Sequence, residues 1–122
     1  MKYGSAETTL STKRRTRIGC WNIRTLRGTN KLEELDKILR ESRIEMCGLS
    51  ETRWTGTGEH RTVAGNTLIF NGPNTNTGQH GVGLLISKER RNSLLSWVPV
   101  AERIIVARFA NNHKHLSVVQ CY

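Results

Sequence analysis

The chain has 122 residues, 36% of them hydrophobic and 6% aromatic, which limits it to one domain with a modest core and sets it apart from disordered compositions. Nineteen Lys and Arg against ten Asp and Glu leave a formal charge of +9, a balance that favours a polyanionic partner, with nucleic acid the natural candidate. No apolar run reaches the length of a membrane span and the first residues lack the apolar core of a secretory signal, so no membrane partner is expected and the predicted location is intracellular, nuclear or cytoplasmic.

Residues 1–16 read as a flexible basic tail. Met1 to Thr12 are rich in Ser, Thr and Gly without periodicity, and Lys13-Arg14-Arg15-Thr16-Arg17 then sets four positive charges before the first strand. That cluster suits a phosphate-contacting arm or an import signal, and equally a solvated flank that keeps a sheet edge from aggregating.

From Arg17 to Trp54 the pattern is strand, helix, strand. Ile18-Gly19-Cys20-Trp21-Asn22 is short, apolar and uncharged, as a strand covered on both faces should be. Asn30 stands three residues before Glu33, a capping-box spacing, and Leu32, Leu35, Ile38 and Leu39 share one face of a helix running to about Ser42. Ile44 to Leu49 is the second strand. A crossover of this length closes most easily as a parallel pair, which brings the carboxyl ends of both strands to one sheet edge, with Asn22 at one exit and Glu51 at the other. In open α/β sheets that edge is where ligands bind. Periodicity alone also allows Asn22 to start a turn and Glu51 to be a solvated loop acid.

Farther along, Thr55-Gly56-Thr57-Gly58 reads as a flexible loop, Thr67-Leu68-Ile69-Phe70 as a strand stopped by Asn71-Gly72-Pro73, and Asn74 to His80 as a surface loop or hairpin end. Gly81 to Ser87 resumes a buried strand whose glycines fit close strand packing better than a phosphate loop. Lys88 to Asn92 is a charged turn, Leu94 to Val98 a strand ended by Pro99, Arg103 to Phe109 another, and Leu116 to Tyr122 the last, after a turn at Asn111-Asn112. One clear helix and six or seven short strands make an α/β chain weighted toward β. Cys20, Cys47 and Cys121 lie in apolar strand patterns and read as buried free thiols, with no close-spaced pair to hold zinc. His113 and His115 form a His-x-His pair best read as a hairpin tip, since no third ligand lies near.

Five strings occur in order: Ile18-Gly19 with Trp21-Asn22; Leu49-Ser50-Glu51-Thr52-Arg53-Trp54; Gly81 to Lys88; Glu102-Arg103-Ile104-Ile105-Val106; and Gln120-Cys121-Tyr122. Together they resemble the endonuclease/exonuclease/phosphatase superfamily, and within it the apurinic-endonuclease-like domain of LINE-type retrotransposons. The resemblance covers residues 17–122 and implies the amino-terminal half of a four-layered α/β sandwich, mostly β with one main helix. It implies metal-assisted hydrolysis of a phosphodiester, with Mg2+ as cofactor. Glu51 matches the family's metal-binding glutamate, Asn22 the asparagine that helps fix metal and phosphate, and Tyr122 the tyrosine that reaches toward the active-site phosphate.

The family's remaining groups are an Asp-x-Asn pair, a later metal-linked aspartate and a closing Asp-His pair. The resemblance places them downstream of Tyr122, and neither Asp36 nor any of the histidines falls in a matching motif. The expectation is therefore a fragment or truncated copy of a Mg-dependent DNA endonuclease, close to inactive alone and completed in a longer protein by the carboxyl-terminal half and by a reverse transcriptase domain. A catalytically dead nucleic-acid-binding module is the rival reading, and a superfamily phosphatase ranks below both. The resemblance also implies that the second sheet comes mainly from the other half, leaving an apolar face of the first sheet in water and the isolated chain poorly stable.

Overall fold

The computed structural model describes residues 16–24, 26, 30–74, 80–111 and 114–122. The expected tail before Thr16, most of the loop between Asn74 and His80, and the turn at Asn112 and His113 lie outside them. The element order is β1 (Ile18–Asn22), α1 (Lys31–Ser42), β2 (Met46–Ser50), β3 (Thr57–Arg61), β4 (Thr67–Asn71), β5 (Val82–Ile86), α2 (Lys88–Arg91), β6 (Leu94–Ala101), β7 (Ile104–Asn111) and β8 (Lys114–Cys121).

The strands form two sheets, a five-stranded one in the order β1-β2-β5-β4-β3 and a three-stranded one in the order β6-β7-β8. β1 and β2 are parallel, with Ile18 opposite Met46 and Asn22 opposite Ser50, while the other pairings are antiparallel. Alternation along the central strands decides the layers, because successive side chains leave opposite faces. Met46, Ile69, Val82, Leu84 and Ile86 point toward the smaller sheet and meet Leu94, Ile105, Ala107 and Phe109. Cys47, Leu49, Leu68 and Leu85 point the other way and meet Leu35 and Leu39 of α1, with Leu26. The described layers are therefore helix, larger sheet, smaller sheet.

Several local expectations change. β1 is not covered on both faces: as the sheet's outer strand it leaves Ile18 49% and Trp21 45% exposed. Asn30 does precede α1, but it sits in the left-handed region at φ 68° and its side chain makes no cap; its carbonyl accepts from the Glu34 amide at 3.0 Å instead. The stretch from Thr57 is strand, not loop. Thr57-Gly-Glu-His-Arg has no apolar alternation, and it is extended because its backbone pairs with β4 from Thr57 opposite Asn71 to Arg61 opposite Thr67. Lys88–Arg91 is a single helical turn, and β6 runs through Pro99 to Ala101. An outer strand tolerates proline because the missing N–H is not owed to a neighbour. Of the three thiols, all free, only Cys47 is buried.

The expectation about the second sheet also changes. Strands β6, β7 and β8 cover the inner face of the larger sheet, so the apolar surface left in water is the outer face of the smaller one. There Val98, Val106 and Val119 stand in register, with Val98 54% and Val119 60% exposed.

Candidate functional site

At the carboxyl edge of the parallel pair, the backbone leaves regular geometry. Asn22 ends β1 beside Ser50, and Glu51 follows at φ 59°, Arg53 at φ 61°, Arg24 at φ 65° and His80 at φ 64°. The left-handed region is uncommon for residues that carry a Cβ, at a cost of roughly 1–3 kcal/mol each, and such positions gather at functional sites. Two backbone bonds hold the loop against the strand entering β5: Thr52 N–H donates to the Gly81 carbonyl at 3.2 Å and Arg53 N–H to the His80 carbonyl at 2.7 Å. Gly81 sits at φ 101°, where a Cβ would run into the Thr52 hydroxyl, so this close approach requires glycine.

The second sheet delivers Tyr122 to the same place. Gln120, buried at the end of β8, reaches down onto β2, its Nε2 donating to the Leu49 carbonyl at 3.4 Å. It fits because Gly48 has no side chain beneath it; a Cβ there would overlap the Gln120 carboxamide. Two residues on, the Tyr122 amide bonds the Arg103 carbonyl at 3.0 Å, and its hydroxyl donates to Glu51 Oε1 at 2.8 Å. The bond to Glu51 raises the phenol's pKa above its ordinary value near 10, with burial and the carboxylate's charge adding to it and Arg103 and Arg53 opposing it. The Arg103 guanidinium lies 5.4 Å from the Tyr122 ring centre.

Glu51, Arg53, His80 and Tyr122 line a hollow of ≈ 230 Å³. Asn22 is on the same sheet edge but not in this hollow. It lines a separate recess of ≈ 180 Å³ with Trp21 and residues of α1, and its Oδ1 accepts from the Arg24 amide at 3.2 Å. Of the residues predicted from sequence, the structure thus brings Glu51 and Tyr122 together and leaves Asn22 beside them. Arg53, His80 and Arg103 were not anticipated as site residues, although Arg53 and Arg103 lie in strings already singled out and His80 immediately precedes the Gly81 turn. His115, from the His-x-His pair, meets Arg108 across the β7–β8 hairpin, at the opposite end of β8 from Tyr122.

As a metal anchor the hollow offers one carboxylate. Mg2+ commonly rests on one or two carboxylates and completes its shell with water and substrate phosphate, so Glu51 fits as a single anchor. Among the described residues no three His, Cys, Asp or Glu side chains gather as a metal-holding group. Among them, too, no helix is long and apolar enough to cross a membrane. Arg53 lines the hollow, Arg103 lies against the Tyr122 ring and Arg24 lines the neighbouring recess with Asn22; all three are exposed and add positive charge suited to phosphate along this edge.

No protein-family model matches the chain. The chain spans under a fifth of the length of the curated relatives it matches: it is 28% identical over 105 residues, 86% of its own length and 18% of theirs, to Craniofacial development protein 2 of Tragulus javanicus. It is similar over the same share of its length to Craniofacial development protein 2 of Bos taurus, at 30% identity over 105 residues that make up 17% of that protein.

Proposed function

We propose that residues 17–122 form the phosphate-facing part of a Mg-dependent DNA endonuclease domain of the retrotransposon type, and that on their own they hold DNA without cutting it. The observation that carries this reading is the Tyr122–Glu51 hydrogen bond at 2.8 Å beside Arg53 and Arg103, at the carboxyl edge of a parallel strand pair. In this reading the helix and two sheets are three layers of a four-layered sandwich. The fourth, helical, layer belongs over Val98, Val106 and Val119.

Mg2+, when bound, would neutralise charge on the phosphoryl oxygens; Glu51 would hold it, with Asn22 the second candidate beside it. The chain's own residues position the phosphate: Arg24, Arg53 and Arg103 attract it, and the Tyr122 hydroxyl orients the Glu51 carboxylate by donating to Oε1. Hydrolysis also demands an oriented water and donors aimed at the developing charge, and losing one such donor costs about 100- to 1,000-fold in rate. Among the described residues the hollow's lining contains one carboxylate and no second acid to orient water. That single acid favours binding over cleavage, and it equally supports the dead-module reading, in which the same surface binds nucleic acid and never cut it.

Binding is tested by fluorescence anisotropy on a labelled duplex across a salt series. Affinity should fall steeply with salt, and replacing Arg24, Arg53 and Arg103 by Gln should flatten the log–log slope by about one for each phosphate no longer neutralised. Affinity that ignores salt, or a slope untouched by the triple replacement, would refute a phosphate-binding role for this edge.

A further inference from the structure

The larger sheet has a second edge, at the opposite end of its strands from Glu51, and cations line it. Register sets the start of β1 beside the start of β2, then the end of β5, the start of β4 and the end of β3. Arg17 precedes β1, Arg43 lies between α1 and β2, Lys88 follows β5 and Arg61 closes β3, so the four stand in file across the strand ends, with Arg40 of the last turn of α1 beside them. All five are exposed, and none forms an ion pair among the described residues. Nearby acids do not cancel them. Glu45 is engaged by the buried Arg90 guanidinium at 2.9 Å and Glu59 by Arg91 at 3.4 Å, which leaves Glu41 and Glu89 against the five cations.

The file rests on fixed backbone. The Glu45 amide donates to the Arg17 carbonyl at 2.9 Å, the Ser87 amide to the Glu45 carbonyl at 2.9 Å, the Lys88 amide to Asn66 Oδ1 at 3.0 Å and the Asn66 amide to Thr62 Oγ1 at 3.1 Å, a run of bonds that crosses from β1 to β3. Arg17 Nη1 donates to the Ser42 carbonyl at 3.1 Å, which holds its guanidinium at the end of α1. Arg43 closes that helix in the left-handed region, at φ 54°, where glycine is usual. A cation is kept there against the preference of the backbone.

We propose that this edge is a second nucleic-acid contact, which takes a phosphate backbone across the strand ends. Four strand spacings of about 4.8 Å make the file roughly 19 Å long. That length matches about five phosphates of one strand, at ~3.4 Å of rise each. A small anion would use one or two of these cations, whereas a polyanion uses the whole file. A bilayer fits less well: the edge offers Val63 and a half-exposed Ile18 as apolar surface, and stable anchoring needs more apolar burial than that. The two edges lie at opposite ends of five-residue strands, roughly 17 Å apart, so they take separate stretches of nucleic acid. Binding here does not require the Glu51 edge to bind phosphate as well.

The test is fluorescence anisotropy on a labelled duplex across a salt series, with the whole chain carrying Arg24→Gln, Arg53→Gln and Arg103→Gln to remove the cations of the Glu51 edge. Saturable, salt-dependent binding should persist, and adding Arg61→Gln with Lys88→Gln should lower the log–log slope by about two. Arg108→Gln with Lys114→Gln removes the same charge from the β7–β8 hairpin and should leave the slope unchanged. The Arg61 and Lys88 side chains make no hydrogen bond among the described residues, so their replacement should leave the thermal midpoint where it was. Loss of all binding in the starting variant would overturn the proposal and assign every contact to the Glu51 edge. Equal slope changes from the two pairs would overturn it in favour of bulk charge. So would retention on phosphatidylserine vesicles that the Arg61 and Lys88 replacements abolish while duplex binding is untouched, which would identify a membrane surface. A slope insensitive to the Glu51-edge replacements but lowered by the Arg61 and Lys88 pair would remove the phosphate role of that edge and uphold this one.

Discussion

The Tyr122 hydroxyl and Glu51 Oε1, 71 positions apart in sequence, meet at 2.8 Å across the two sheets. Glu51 reaches that point from a left-handed residue at the end of β2, and Tyr122 reaches it as the residue that follows β8. This hydrogen bond links the sheets at the edge that also carries Arg53 and Arg103.

Because the hydrogen bond to Glu51 is the main cause of the raised Tyr122 pKa, Glu51→Gln should move the phenol's titration down toward its ordinary value. An ultraviolet titration of tyrosinate reads this directly. Since the folded-state pKa lies above the unfolded one, the bond's contribution is fully present below pH about 10 and is lost as pH rises through the folded value. A phenol that titrates identically in both proteins would mean the bond does not form in solution.

Gly48→Ala should break the alignment from below. The new methyl would collide with the Gln120 carboxamide, so the end of β8 must shift and carry Tyr122 off Glu51. A stability loss of about 1–3 kcal/mol by urea unfolding is expected, the usual range for overpacking, together with loss of the Glu51 effect on the phenol. Gln120→Ala in the same background should recover part of the stability, since it removes the colliding group.

The β1–α1–β2 crossover was legible because its apolar periodicity is strong at every step: Leu35 and Leu39 are buried four residues apart on one helix face, and Met46 to Leu49 are buried throughout. β3 was not legible, since a polar outer strand such as Thr57–Arg61 takes its extended shape from its partner's hydrogen bonds and not from its own pattern. Pro99 misled for a related reason: proline breaks a central strand but not an outer one. The second sheet was underestimated because β6, β7 and β8 alternate apolar residues inward and mixed residues outward, and nothing local says which layer such strands join. At the site, the crossover put Asn22 and Glu51 at the ligand-binding edge, whereas Tyr122 was singled out through family resemblance alone; spacing could not have paired residues from different sheets. His80 and Arg53 were missed because their placement follows from left-handed backbone at a turn that only the fold imposes.

The cysteines should separate by reactivity. Burial first, and then the neighbouring Cys20, raises Cys47 from an ordinary 9.0 to about 11, whereas Cys20 and Cys121 are exposed. At pH 8 a colorimetric thiol assay of the native protein should show two fast equivalents and one slow one, which becomes fast on unfolding. Three equally fast thiols would contradict the buried position of Cys47 under α1.

The claim that these residues bind DNA without cutting it is tested most directly by incubating supercoiled plasmid with the chain and magnesium, beside a Glu51→Ala protein purified in the same way. The account predicts that neither protein produces open circles while the parent still retards the plasmid at low salt, because Glu51 is the sole carboxylate of its hollow among the described residues. Magnesium-dependent nicking by the parent that vanishes in Glu51→Ala would contradict it.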